Sequence, residues 1–115
     1  MAKIPLNKFR TIRYSVTTDS VGIYTCPIGV ASIIILSQVT NVSNGISSVT
    51  AIHSRATEPQ VDFRLAKNVP IPPEDSYTIV SDGRLALETN DVIKIQASEN
   101  GTLELVLSVL ESAKQ

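Results

Sequence analysis

Along most of this chain, apolar and polar residues alternate with a period of two, and no segment carries a helical period. Phe9–Thr17 places Ile12, Tyr14 and Val16 on one face, with Arg10 sharing that side near the edge. Thr11, Arg13 and Ser15 lie opposite, which predicts a half-buried strand. Val21–Cys26 predicts a second strand, ended by Pro27 and Gly29. Val30–Val42 is long, and its Ile33–Leu36 stretch is apolar on both faces. That fits a central strand covered on both sides, or one lying against a neighbouring subunit. Asn44-Gly45 reads as a hairpin turn, and Ile46–His53 as the returning strand, with faces too mixed to fix its register. Val61–Leu65 alternates again, with Phe63 inward. Pro70-Ile71-Pro72-Pro73 reads as a stiff connector outside any ladder. Tyr77–Val80, Leu85–Leu87, Val92–Ser98 and Thr102–Leu110 complete the set, and Asn100-Gly101 is a second turn signal. In the last strand, Val106 and Leu110 add apolar residues to the face opposite Leu103, Leu105, Leu107 and Val109. That second face is therefore expected to be covered as well.

About eight short strands without a helix predict an all-β fold, an antiparallel β-sandwich of jelly-roll type, with a closed barrel as the alternative. At 115 residues the chain fits one domain. We assign residues 1–8 to an extended N-terminal arm, because Pro5 interrupts any pattern there, and residues 9–115 to a single sandwich domain. Hydrophobic residues make up 43% but aromatics only 4%, with no Trp, so the core must be aliphatic. Net charge is −1, which gives no general field to attract nucleic acid. Its distribution is uneven. Residues 1–57 hold five bases against the single acid Asp19, whereas residues 58–115 hold five bases against ten acids. The basic excess is concentrated before Tyr14.

Candidate chemistry is sparse. Cys26 is the only cysteine and His53 the only histidine, so a nucleophile–base–orienter set would have to be built around them. Cys26 reads as a small buried hydrophobe and His53 as a surface residue at a strand end. Asp82, Glu88 and Asp91 fall near adjacent turns. Acidic turn formers explain them without a cation. Asp62 and Glu104 alternate outward, which argues against a shared glycosidase cleft. Tyr14 and Phe63 sit on apolar faces and are expected in the core, so stacking platforms for bases or sugars are scarce. Asn41-Val42-Ser43 and Asn100-Gly101-Thr102 match the glycosylation sequon. The first residues lack the apolar core of a signal peptide. The longest apolar run, Ile33–Leu36, is far below the ~20 residues of a membrane helix. No catalytic residue, metal or cofactor is expected, and no membrane or nucleic-acid partner.

The chain nevertheless resembles a known group. Ile23-Tyr24-Thr25 with Pro27 and Gly29, Asn41 and Ser43, and Lys67 with Val69-Pro70-Ile71-Pro72 form part of the pattern. Asp82-Gly83, Leu85, Leu87-Glu88, Asn90-Asp91, Ile93 and Leu110-Glu111 continue it. This pattern is similar to small β-sandwich virion structural proteins of tailed bacteriophages, of the cyanophage and myophage type. The resemblance implies a virion protein made in the host cytoplasm, an oligomeric capsid decoration protein. A neck, tail or fibre accessory is the alternative, as is a host-glycan-binding module using Ser54–Gln60 and Asp82–Asp91. The implied partners are further copies of itself, as a trimer, and other virion proteins such as the major capsid protein. The surplus apolar faces agree with subunit contacts. For docking we single out Lys3, Ile4, Leu6, Lys8, Phe9 and Arg10, where the basic arm could lie across an acidic neighbour.

Overall fold

The computed structural model describes residues 7–59, 61–80 and 84–113. The strands are β1 (Asn7–Ser15), β2 (Val21–Thr25), β3 (Val30–Asn41), β4 (Ser47–Ser54) and β5 (Asp62–Ile71), followed by β6 (Ser76–Thr78), β7 (Leu85–Leu87), β8 (Val92–Ala97) and β9 (Leu103–Ala113). One sheet runs β1-β9-β3-β6, with β7 also paired to β3, and the other runs β2-β8-β4-β5. All pairings are antiparallel. This is a two-sheet sandwich with jelly-roll strand order, as expected from the sequence. Among the described residues there are nine strands, close to the expected count of about eight, and one ladder position is filled in two pieces. β6 lies beside Gln38–Thr40 and β7 beside Ser32–Ile34, with the register slipping by three residues between them.

The long alternating segments fix the interior. In β9, Leu103, Leu105, Leu107 and Val109 are buried, and they meet Ile34 and Val39 of β3, Val49 of β4 and Ile93 and Ile95 of β8. Each such side chain, once buried, contributes about 1.5–3 kcal/mol. Tyr14 packs against this cluster from the edge, as expected, and Cys26 is fully buried.

Several local readings are corrected by the topology. Asn44-Gly45 does not close a hairpin, because β3 and β4 belong to different sheets. Neither residue takes a positive φ. The buried Asn41 organises that loop instead. Its Nδ2 donates to the carbonyls of Gly45 and Ile71, both at 2.8 Å, and its Oδ1 accepts from the Ser43 N–H and hydroxyl. With its amide so engaged, Asn41 is not open to glycosylation in the folded chain. Pro70 is part of a strand: it faces Ser48 across the β4–β5 ladder. This is tolerated because β5 is a sheet edge. Phe63 is not in the core. It lies near the start of that edge strand and is 54% exposed.

Candidate assembly surface

Register decides which side chains share the outer face of the β1–β9–β3 sheet. Phe9 faces Leu110, Leu110 faces Ile33, and Ile33 faces Ala86. An apolar row thus crosses four strands on the side away from the core. Beside it, β3 bulges between Ile34 and Leu36, so the intervening Ile35 has no partner on β9. The bulge breaks the alternation and leaves Ile35 and Leu36 both 41% exposed. Val106 adds a half-buried position one row further on, beside Gln38 and Arg13. Phe9 is 71% exposed. The face expected from sequence to be covered therefore has no cover among the described residues of the chain itself.

Of the six residues singled out for docking, Lys3, Ile4 and Leu6 lie outside the described residues. The other three are the second to fourth residues of β1, so the strand already includes Lys8. They do not point the same way. Phe9 belongs to the apolar outer row, while Lys8 and Arg10 share the opposite side with Ile12 and Tyr14. Arg10 is already engaged: its guanidinium stands 3.4 Å from Glu111 and 5.9 Å from the centre of the Tyr24 ring.

That contact opens onto a buried polar cluster. The Tyr24 hydroxyl donates to Glu111 Oε2 at 2.5 Å and lies 2.7 Å from the Ser32 hydroxyl, which in turn sits 3.3 Å from Cys26 Sγ. Burial, with the Glu111 hydrogen bond next, pushes the Tyr24 phenol up to about 12. These groups satisfy one another between the sheets, and among the described residues the Cys26 thiol bonds only the Ser32 hydroxyl and backbone carbonyls.

A second network gathers at the same end of the sandwich. Asp91 is 1% exposed. It accepts from Arg55 Nη2 at 2.8 Å and Nε at 3.0 Å, from His53 Nε2 at 3.0 Å and from the Glu88 N–H at 2.9 Å. Burial alone would raise its pKa, but the bonds from Arg55, the Glu88 amide and His53 outweigh it and hold the carboxyl at about 2. Hydrogen bonds to Asp91 and then Glu58 hold the Arg55 guanidinium charged beyond its ordinary range. His53 is thus paired and largely covered rather than a simple surface residue. The sequence reading missed this network. His53 lies near the end of β4, Arg55 just after it and Asp91 just before β8, and no local pattern links them. The arrangement is a fastening of loops, with both oxygens of Asp91 engaged as acceptors. Among the described residues no group of His, Cys, Asp and Glu could hold a metal ion. No helix is long and apolar enough to cross a membrane. Asp62 and Glu104 fall on opposite sheets, so they share no cleft.

No family model matches the sequence, and no curated protein does. Solved structures do match the fold. One is a subunit of the disulfide-linked pili of Bacillus endospore appendages, at TM-score 0.57 and 11% identity, covering 96% of this chain and 88% of that one. Another comes from the capsid of the Helicobacter pylori bacteriophage KHP30, at 0.55 and 12%, covering 96% and 90%. A third comes from the T13 IBDV viral particle, at 0.53 and 10%. It covers 96% of this chain but only 32% of that one, so the likeness there is to one part of a larger protein.

Proposed function

We propose that this chain is a virion structural protein of a bacteriophage, which self-associates through the outer face of its β1–β9–β3 sheet. The observation that carries the reading is the apolar row Phe9–Leu110–Ile33–Ala86 with Ile35 and Leu36 beside it. A contiguous apolar face on a small soluble sandwich is a contact surface. The fold neighbours support the reading, since two of them belong to viral particles and the third to a pilus. All three are polymers of repeated subunits. Within that reading the chain acts as a homotrimeric decoration protein on a shell of other virion proteins such as the major capsid protein. The start of the chain, with Lys3, Ile4, Leu6, Lys8, Phe9 and Arg10, takes part in docking. The work is interface burial and not catalysis. A standard contact buries roughly 1,600 Å² in total.

Light scattering on the purified protein tests self-association: the expected mass is three times the 12.4 kDa of one chain. Deleting residues 2–8 tests docking, with reduced incorporation into particles expected. A protein that stays monomeric at every concentration, and whose truncated form is incorporated normally, would end this proposal.

A further inference from the structure

A sandwich of two open sheets has four edge positions, and an unguarded edge is a template for another strand. Three of the four are guarded here. β2 is five residues long and bulged between Gly22 and Tyr24. β5 carries two register shifts, Pro70 and the positive φ of Asn68. β6 and β7 are three residues each and out of register with one another. β1 differs from all of these. Its nine residues pair with β9 in unbroken register, with no bulge and no proline.

The hydrogen-bond phase says which groups of β1 remain available. The Val16 N–H donates to the Leu103 carbonyl at 2.9 Å. Antiparallel ladders alternate, so Lys8, Arg10, Ile12 and Tyr14 spend their main-chain groups on β9. Phe9, Thr11 and Arg13 turn theirs outward. The same strand carries Lys8, Arg10 and Arg13 and no acid. Arg10 is bound to Glu111, whereas neither Lys8 nor Arg13 is ion-paired among the described residues.

We propose that the free edge of β1 takes up an extended acidic segment of a different polypeptide as an additional strand. Main-chain bonds to Phe9, Thr11 and Arg13 would supply the pairing. Lys8 on one face and Arg13 on the other select acidic side chains. The same charges discriminate against a second copy, because joining two β1 edges brings two wholly basic strands together. The inference deepens the docking half of the proposed function and rests on it; the edge adjoins the apolar face at Phe9, but it is read through main-chain groups and charge and not through apolar burial.

The test is fluorescence anisotropy with a labelled peptide, Ser-Glu-Val-Thr-Glu-Val-Glu-Ser, against its counterpart with lysine at each glutamate. The acidic peptide should bind at least about tenfold more tightly, and the preference should invert in Lys8→Glu/Arg13→Glu. Thr11→Pro should abolish binding of either peptide while leaving the fold intact, since the lost N–H faces away from β9. Circular dichroism checks that last point, and the charge-reversed protein keeps the test decisive if Thr11→Pro fails to fold. Equal affinity for the two peptides would overturn the proposal, as would no binding up to about 1 mM. A Thr11→Pro protein that loses its self-association would also overturn it, because the edge would then belong to a second copy. Light scattering reads the apolar face independently. An oligomer that ignores both peptides would sink the edge proposal and leave self-association standing.

Discussion

On the outer face of the β1–β9–β3 sheet, the exposed and half-exposed positions include Phe9, Ile33, Ile35, Leu36, Val106 and Leu110, gathered beside the polar Thr11, Ser108, Arg13 and Gln38. On the outer face of the β2–β8–β4–β5 sheet, the corresponding positions include Ser48, Thr50, Lys94 and Gln96, with the half-buried Val92 at one end. Those polar groups have partners. Thr50 bonds both the Asn68 N–H and its side chain, and Gln96 donates to the Thr18 carbonyl. Two sheets that share one core thus meet their surroundings differently. A face meant for water carries polar groups that bond to neighbours and solvent. The apolar face exposes surface that costs roughly 25 cal/mol per Å² to leave wet, and a subunit contact would remove that cost.

The sharpest way to break this contrast is to place the same charge on each face. Ile33→Glu should weaken self-association about 100-fold, equivalent to about 2.7 kcal/mol. Thr50→Glu should leave the association unchanged. Sedimentation velocity over a concentration series distinguishes the two. If both variants associate alike, the apolar face is not the contact.

A second experiment asks whether stability is separable from association. Asp91 ties the turn before β8 to the end of β4, away from the apolar face. Asp91→Ala leaves His53 without this acceptor and Arg55 with only the exposed Glu58 and Glu88, and should cost about 2 kcal/mol of folding stability. Urea denaturation measures that loss. Self-association of the folded fraction should persist.

The third is the pH response. Asp91 has a folded pKa of about 2, below its ordinary 3.8. Its contribution is therefore complete above pH 4 and lost as the pH falls through 2. Tyr24 is raised from 10.0 to about 12, so its contribution is present below pH 10 and lost as the pH rises through 12. Melting temperature against pH should fall at both limits. In Asp91→Ala the acid limb should shrink and the alkaline limb remain.

The smallest effect belongs to the bulge. Ile35→Thr should change monomer stability by no more than about 0.5 kcal/mol, because the side chain is outside the core. It should still weaken association measurably in the same sedimentation series.

Much of the fold was legible in the sequence because alternation reports burial directly. The buried positions of β9 and the faces of β1 follow from it. What failed was local chemistry that depends on distant strands. Asn44-Gly45 has hairpin composition, but only pairing elsewhere decides whether the flanking strands share a sheet. Pro70 looked incompatible with a ladder because its edge position is a tertiary property. Phe63 alternates with the core but sits near the beginning of an edge strand, where exposure outruns pattern. The surplus apolar residues Ile33–Leu36, Val106 and Leu110 were visible one at a time. Their union with Phe9 into a row required the register of β1 on β9 and of β9 on β3. The Asp91 network left no signal at all, since its members meet only after two strands have been laid side by side.

The connections carry one more consequence. Every passage from one strand to the next changes sheet, except the β4–β5 hairpin and the step from β6 to β7 along β3. Among the described residues β1 has no ladder partner except β9, with Asn7 beside Ser112. The last strand described must therefore be available before the first can find its place. Until then β1 waits as a basic, unpaired ribbon and β3 lacks its main neighbour. Such a topology folds slowly, because distant segments must meet before these contacts are rewarded. During that interval it is most open to wrong pairings.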